Sequence, residues 1–280
     1  MSAPELSATQ LNAPGHAREN ILGIRVSALS LAGAVDIFAA WVEAAARPAR
    51  YVCIRDAHGV VRGLGDPELR AIHNRADMVT SDGMPLVWIL RRRGHAGATR
   101  VYGPDLMHAV MADPRLRARR HFFYGGLPGI PERLVEQLSR RFPGLAVAGT
   151  LSPPFGDPSP EEDAALVAQV NAARPDIVWV GLSTPKQERW MASHRERVDA
   201  AVLVGVGAAF DFHAGVKPQA PLWMQRNGLE WIFRLATEPR RLAGRYLKTV
   251  PTFALLALLQ ELGLKDFPVD DPPGAEPGIR

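Results

Sequence analysis

Short apolar runs rich in Val, Ile and Phe alternate along this chain with longer stretches in which apolar residues recur every three or four positions. The short runs are "ILGIRV" (21–26), "RYVCI" (50–54), "DMVT" (77–80), "RHFFYG" (120–125), "LAVAG" (145–149), "DIVWVGL" (176–182) and "AVLVGVG" (201–207). Their length and their β-branched and aromatic content are those of buried strands. Helical spacing marks "SLAGAVDIFAAWVEAAA", "DPELRAIHNRA", "MPLVWILRRRG", "PDLMHAVMAD", "PERLVEQLSRRF", "PEEDAALVAQVNAA" and "PKQERWMASHRERV", several of which open on Pro, Ser or Asp as helix N-termini do. Strand alternating with helix predicts an α/β body, a doubly wound and mostly parallel sheet with helices on both faces. From about Pro218 the strand pattern stops and the rest reads as a helical, basic C-terminal appendage. The expected division is a disordered tail at 1–19, the body at 20–216, the appendage at 217–264 and an acidic, proline-rich disordered tail at 265–280.

Composition supports a folded chain. With 280 residues, 47% hydrophobic and 22% charged, it can bury one large core or two moderate ones and is too apolar for a disordered protein. A single cysteine, Cys53, excludes an internal disulfide and a thiolate metal cluster, and a reducing cytoplasm fits it best. The first twenty residues lack the basic-then-apolar order of a secretion signal, so the chain is expected not to be exported.

Charge changes the picture of the appendage. The chain carries +4 overall, yet residues 217–250 alone carry +5, from Lys217, Arg226, Arg234, Arg240, Arg241, Arg245 and Lys248 against Glu230 and Glu238. The apolar run that follows, "VPTFALLALLQELGL", is short of the roughly 20 residues that span a bilayer. A basic segment beside a short apolar run suits the anionic inner face of the cell membrane, with Arg240, Arg241 and Arg245 near phosphates. The alternative is a solvated basic helix followed by an ordinary core or oligomer helix, which leaves a homo-oligomer open.

In a doubly wound sheet, ligands sit at the carboxyl ends of the strands, and four stretches fall there. "FFYGGLPGIPERL" runs from strand through Gly125 and Gly126 into a helix, a place where backbone N–H groups welcome phosphate; an ordinary tight turn has the same look. "VTSDGMPLVW" puts Asp82 at a strand end, where it could serve as a general base or only as a helix cap. "GLSTPKQERW" sets Gly181, Pro185, Lys186, Gln187 and Glu188 around a helix start, as ligand contacts or, for Glu188, as a complement to the helix dipole. In "VGVGAAFDFHAG", Phe210 stands where a dinucleotide fingerprint needs its third glycine and no strand follows, which disfavours that fingerprint. Asp211 and His213 lack the companions of a metal site, and no D-x-D pair occurs in the chain. No bound metal is expected.

Taken together, these stretches resemble the WecG/TagA/CpsF family of bacterial glycosyltransferases over roughly residues 20–250. "DGMPLVW", with Asp82 and Gly83, looks like the family's Asp-Gly turn, and "RVYGPDLM", with Arg100 and Asp105, like its Arg-Val-x-Gly-x-Asp-Leu. "FYGGLPG", "GLSTPKQERWM" and "GVGAAFDFHAG", with Gly207 and Asp211, continue the series, and "QAPLWMQRNGLEWIFRLATEPRRLAGRY" closes it. The resemblance implies transfer from a UDP-sugar, carrying N-acetylmannosamine, its uronic acid or a hexose, to a polyprenyl-diphosphate-linked saccharide. It also implies inversion without a metal or cofactor, with Asp82 as the base and no nucleic acid as partner. Two departures stand out. "IRDAH" replaces the family's Thr-x-Asn, putting Ile54 and Asp56 there with His58 retained, and Gln219 of "QAP" replaces an arginine. A non-catalytic nucleotide-sugar-binding subunit and a nucleotide-sugar epimerase are the competing readings. The epimerase would need an N-terminal G-x-x-G-x-x-G and a Tyr-x-x-x-Lys pair that are absent here.

Overall fold

The computed structural model describes residues 15–45 and 47–269, so most of both expected tails lies outside the described residues. Eight strands are formed among them: β1 (Arg18–Ile21), β2 (Ile24–Ser27), β3 (Arg50–Arg55), β4 (Met78–Ser81), β5 (His121–Gly125), β6 (Val147–Leu151), β7 (Ile177–Gly181) and β8 (Val202–Gly205). The last six make one sheet in the order β4-β3-β8-β7-β5-β6, with every neighbouring pair parallel. Side chains alternate between its faces, as the two-residue strand period requires. Val52, Phe123, Trp179 and Val204 enter one core with α1 (Leu31–Ala44), α5 (Gly103–Ala112), α7 (Ile130–Arg141) and α10 (Ala209–His213). Tyr51, Tyr124, Val178 and Leu203 enter the other with α3 (Pro67–Arg75), α4 (Met84–Arg92), α8 (Pro160–Ala172) and α9 (Lys186–His194). The doubly wound α/β body is therefore as expected.

"ILGIRV" is not a strand of that sheet. Leu22 and Gly23 both take positive φ, 51° and 85°, the two-residue turn of a tight hairpin, and β1 pairs antiparallel with β2 beside the main sheet. A leucine pays for this backbone only because tertiary contacts hold it: Leu22 is fully buried and its N–H donates to Gln260 Oε1 at 3.0 Å. Two further helices, α2 (Ala57–Leu64) and α6 (Pro114–Arg117), lie outside the helical stretches read from sequence. In α2 the cause is Gly59 and Gly63, which interrupt the apolar pattern because a Cβ there would meet Arg55 at 2.9 Å and Ile24 at 3.1 Å.

Beyond the sheet the chain is helical, with α11 (Leu222–Arg226), α12 (Glu230–Thr237) and α13 (Pro239–Glu261). The last is longer than the apolar run suggested, because the helix continues through Pro251. Its segment Leu242–Glu261 is long and apolar enough, by length and composition, to cross a membrane. One face nonetheless packs on the body. Phe253 and Ala257 are buried in the second core, Thr249 bonds His58 of α2 at 3.0 Å, and Glu261 pairs with Arg93 at 2.5 Å.

The body is tied together under its strand ends by a buried ion pair. Arg55, the last residue of β3, reaches across to Glu188 of α9, with both side chains almost wholly inaccessible. Glu188 also accepts from Thr184 Oγ1 at 3.2 Å and Gln187 Nε2 at 2.9 Å. Removing one member of such a pair strands a buried charge, whereas replacing both with apolar groups is close to neutral. Glu188→Ala should lower unfolding free energy by about 3–5 kcal/mol in urea titrations, and Arg55→Met with Glu188→Leu should recover most of it. A loss below about 1 kcal/mol in the single variant contradicts this.

Candidate active site

Because the six strands are parallel, their carboxyl ends form one row of loops. Asp82 follows β4, Asp56 follows β3, Gly207 follows β8, Ser183 to Lys186 follow β7, and Gly125 ends β5. The chain leaves β5 outward to β6 and leaves β7 in the other direction to β8, so the switch point of the sheet lies between β5 and β7, where such folds take ligands in a crevice at the strand ends. Its floor is bare backbone. Gly125 and Gly181 are register partners, and Gly126 N–H donates to Gly181 O at 3.0 Å. A Cβ on Gly125 would lie 2.7 Å from the Gly181 backbone, and one on Gly181 2.8 Å from the Phe210 ring. The φ values of +118° and +76° at Gly125 and Gly126 add a second reason for glycine. Leu127 and Phe155 stand exposed in the neighbouring loops, which are joined by Ser152 Oγ donating to Leu127 O at 3.4 Å.

Asp82 follows β4, three strand spacings from β7 and four from β5, roughly 14–19 Å from that crevice at the usual strand spacing. Its backbone N–H donates to Arg55 O at 2.8 Å, and Gly83 caps α4 beyond it. Asp82 itself is only partly exposed, and burial pushes its carboxyl up to about 7, with Asp56 and Glu230 pushing the same way and Arg100 and Arg234 opposing. Arg100 Nη2 stands 3.6 Å from Asp82 Oδ1, Arg100 Nε donates to Asp82 O at 2.6 Å, and the guanidinium lies 3.9 Å over the Tyr102 ring. Its remaining donors reach the appendage: Nη1 to Gln225 Oε1 at 2.8 Å and Nη2 to Glu230. A carboxylate that titrates near neutrality beside a cation can take a proton from a hydroxyl and keep the resulting neutral acid in place.

The other residues singled out from sequence divide by what holds them. Asp56 caps α2 through Gly59 N–H at 2.8 Å, and its Cβ lies 3.8 Å from where a Cβ on Gly83 would be. Lys186 is exposed at the α9 start, 3.6 Å from Asp157, and Pro185 precedes it at the N-cap. Gln187 is buried; its Oε1 has no hydrogen-bond partner among the described residues and lies 3.5 Å from where a Cβ on Gly207 would be. Glu188 is engaged by Arg55 rather than turned to the cleft. Asp211 pairs with Lys217 at 2.7 Å, and His213 Nε2 bonds Pro104 O at 3.0 Å. Asp105 is exposed in the first turn of α5, and Arg240 is exposed on α13. The side chains of Arg241 and Arg245 lie outside the described residues. Among the described residues no group of three or more His, Cys, Asp or Glu is placed to hold a metal.

Sequence reading missed Arg55, Gln225 and Glu230 as parts of this centre. The basic segment is also less free than its charge suggested, since Lys217 serves Asp211 and Arg234 turns inward, its guanidinium 6.0 Å over the Phe212 ring.

Residues 19–266 match the model of the "Glycosyl transferase WecG/TagA/CpsF family". Among curated relatives, an N-acetylglucosaminyldiphosphoundecaprenol N-acetyl-beta-D-mannosaminyltransferase of Bacillus spizizenii strain W23 is 30% identical over 196 residues, covering 70% of this chain and 74% of the relative. The enzyme of the same name from Bacillus subtilis strain 168 is 28% identical over 192 residues, covering 69% and 72%.

The raised Asp82 carboxyl has a consequence for stability. A carboxyl bound to its proton more tightly in the folded state than at its ordinary value of 3.8 loses folding free energy as pH rises from about 4 to about 7. Asp82→Asn removes that loss. The variant should melt higher than the parent at pH 8, with the advantage shrinking steadily towards pH 4; a parent that melts higher at pH 8 contradicts the burial of this charge.

Proposed function

The chain belongs to the WecG/TagA/CpsF family of glycosyl transferases, and from that premise we propose that it moves a sugar from a UDP-linked donor to a polyprenyl-diphosphate-linked saccharide. The relatives' names support an N-acetylmannosaminyl group as the sugar and an N-acetylglucosaminyl-diphospholipid as the acceptor. The observation that carries the reading is Asp82, a near-neutral carboxyl at a strand end on the row of loops that includes the β5–β7 crevice. In the proposed reaction the uridine lies over Gly125, Gly126 and Gly181, and the diphosphate runs along the strand ends past Gly207, which brings the anomeric carbon up to Asp82. Asp82 takes the proton of the acceptor hydroxyl as its oxygen bonds to the anomeric carbon. The bond from that carbon to the diphosphate breaks on the opposite face, its electron pair leaves with UDP, and the anomeric centre inverts. In this reading Lys186, exposed at the start of α9, attracts the diphosphate. The absence of D-x-D and of a carboxylate cluster among the described residues favours transfer without a divalent ion.

The division into a body at 20–216 and an appendage at 217–264 assigns donor binding to the first and the lipid to the second. Leu247, Val250, Leu255 and Leu258 stand exposed on α13 while Phe253 and Ala257 face the body. A helix with one apolar side packed and another exposed, rich in Arg and Lys, fits a shallow position on an anionic leaflet.

Two measurements test the reading. In a transfer assay with UDP-N-acetylmannosamine, a short-chain N-acetylglucosaminyl-diphospholipid and excess chelator, the parent should form the disaccharide. Asp82→Asn should lose about 10²-fold or more while its UDP affinity stays within a few-fold; turnover near the parent's removes Asp82 as base, and rescue of a silent parent by magnesium or manganese removes the metal-free step. In vesicle sedimentation, the parent should prefer anionic over neutral vesicles and lose this preference as salt rises. Changing Arg240, Arg241 and Arg245 together to Glu should weaken binding by orders of magnitude, at about 1 kcal/mol per basic residue, and a parent without lipid preference contradicts membrane docking.

A further inference from the structure

Arg100 is shared by two carboxylates on different parts of the chain. Its Nη2 is hydrogen-bonded to Glu230 on α12, while the same nitrogen stands 3.6 Å from Asp82 Oδ1, beyond hydrogen-bond reach. Nη1 is held by Gln225 of α11 and Nε by the Asp82 carbonyl, so the guanidinium is fixed as a plate between the Asp-Gly turn and the appendage. We propose that Glu230 is a positioning residue for the base: by occupying Arg100 Nη2 it keeps that cation from closing on the Asp82 carboxylate, which leaves the carboxylate available to a hydroxyl. This rests on Asp82 being the base of the proposed reaction.

The charges around Asp82 pull in opposite directions. Asp56 beside α2 and Glu230 on α12 favour its protonated form, and Arg100 and Arg234 favour the carboxylate. Of these cations Arg100 stands 3.6 Å from the Asp82 carboxylate; with Glu230 neutral, its Nη2 has Asp82 as the nearest remaining acid and can shorten the contact to a charge-assisted hydrogen bond. Asp105, on α5, also acts on Arg100, and Tyr102 packs beneath the guanidinium, but Asp105 is exposed and the phenol carries no charge. A carboxylate so paired is a weaker base, and its acceptor orbitals are directed at Arg100 instead of the substrate. Because Glu230 belongs to the appendage, Asp82 is basic only while α12 is seated on the body. The contact thereby couples docking of the lipid-facing helices to proton removal in the cleft.

The test uses the full chain and reads Asp82 directly. With ¹³C-labelled aspartate, the Asp82 carboxyl resonance of the ligand-free protein, assigned by its loss in Asp82→Asn, should titrate near neutrality in the parent. In Glu230→Gln, which keeps the shape and one acceptor, the midpoint should fall by about one unit or more, the usual effect of a cation moving into contact. The acid limb of kcat/KM for transfer should move down with it while the plateau at high pH drops, as a weaker base requires. Glu230→Asp, which keeps the charge on a shorter arm, should give a midpoint between the two, and it carries the test alone should Glu230→Gln fail to fold. A midpoint unchanged in both variants, or displaced upward in either, overturns the inference. If the midpoint moves as stated but the parent transfers no sugar, the proposed function fails and the coupling between Glu230 and Asp82 stands; if Asp82 is essential to transfer and its midpoint ignores Glu230, the coupling alone fails.

Discussion

The buried pair between Arg55 and Glu188 is the constraint on which the strand-end surface depends. It joins the end of β3 to the first turn of α9, and the same guanidinium bonds Thr184 at 3.1 Å, so the β7–α9 loop is pulled down onto the sheet next to the glycine floor. The helix α2 can pass over the Arg55 side chain only because Gly59 has no Cβ. The Arg55 carbonyl then receives the Asp82 N–H, which sets the level of the Asp-Gly turn. One desolvated ion pair thus fixes the height of the loops that follow β4 and β7, and its desolvation cost is a reason to expect specificity rather than net stability from it.

Above that base the electrostatics are arranged by alternating sign. Asp56, Asp82 and Glu230 are interleaved with Arg100 and Arg234, in a region too poorly solvated to screen them fully. Water would hold Asp82 ionised and inert; partial burial together with two like charges raises it into the range where a proton can be exchanged at neutral pH. Three of the charged groups that set this balance lie outside the Asp-Gly turn: Arg100 precedes α5, while Glu230 and Arg234 lie on α12. The appendage therefore contributes to the electrostatics of the body, in addition to presenting Leu247, Val250 and Leu255 outward.

Much of this was legible in the sequence wherever the signal is local. Parallel strands buried on both faces read as continuous apolar runs, and β3 to β8 were found for that reason. Turns fixed by Gly125 and Gly126 were visible because glycine has few other uses there. What stayed hidden depends on partners far along the chain. The Leu22–Gly23 hairpin relies on Gln260, α2 conceals its pattern behind glycines made necessary by Arg55 and Ile24, and Glu188 resembled a ligand contact because its partner is 133 residues away. Glu230 looked like a minor offset in a basic segment, and only the fold places it on Arg100. The length of α13 was underestimated because Pro251 reads as a break although the helix runs through it.

The most direct measurement is a crystal structure of the chain with an intact UDP-sugar and a non-reactive acceptor analogue. If Asp82 is the base of an inverting sugar transfer, the uridine will rest on Gly125, Gly126 and Gly181 with the diphosphate reaching along the strand ends, and the acceptor hydroxyl will lie within hydrogen-bond distance of an Asp82 carboxylate oxygen, on the side of the anomeric carbon opposite the diphosphate. A complex with the uridine on that floor and the anomeric carbon turned away from Asp82, or with the nucleotide bound elsewhere on the chain, would contradict it.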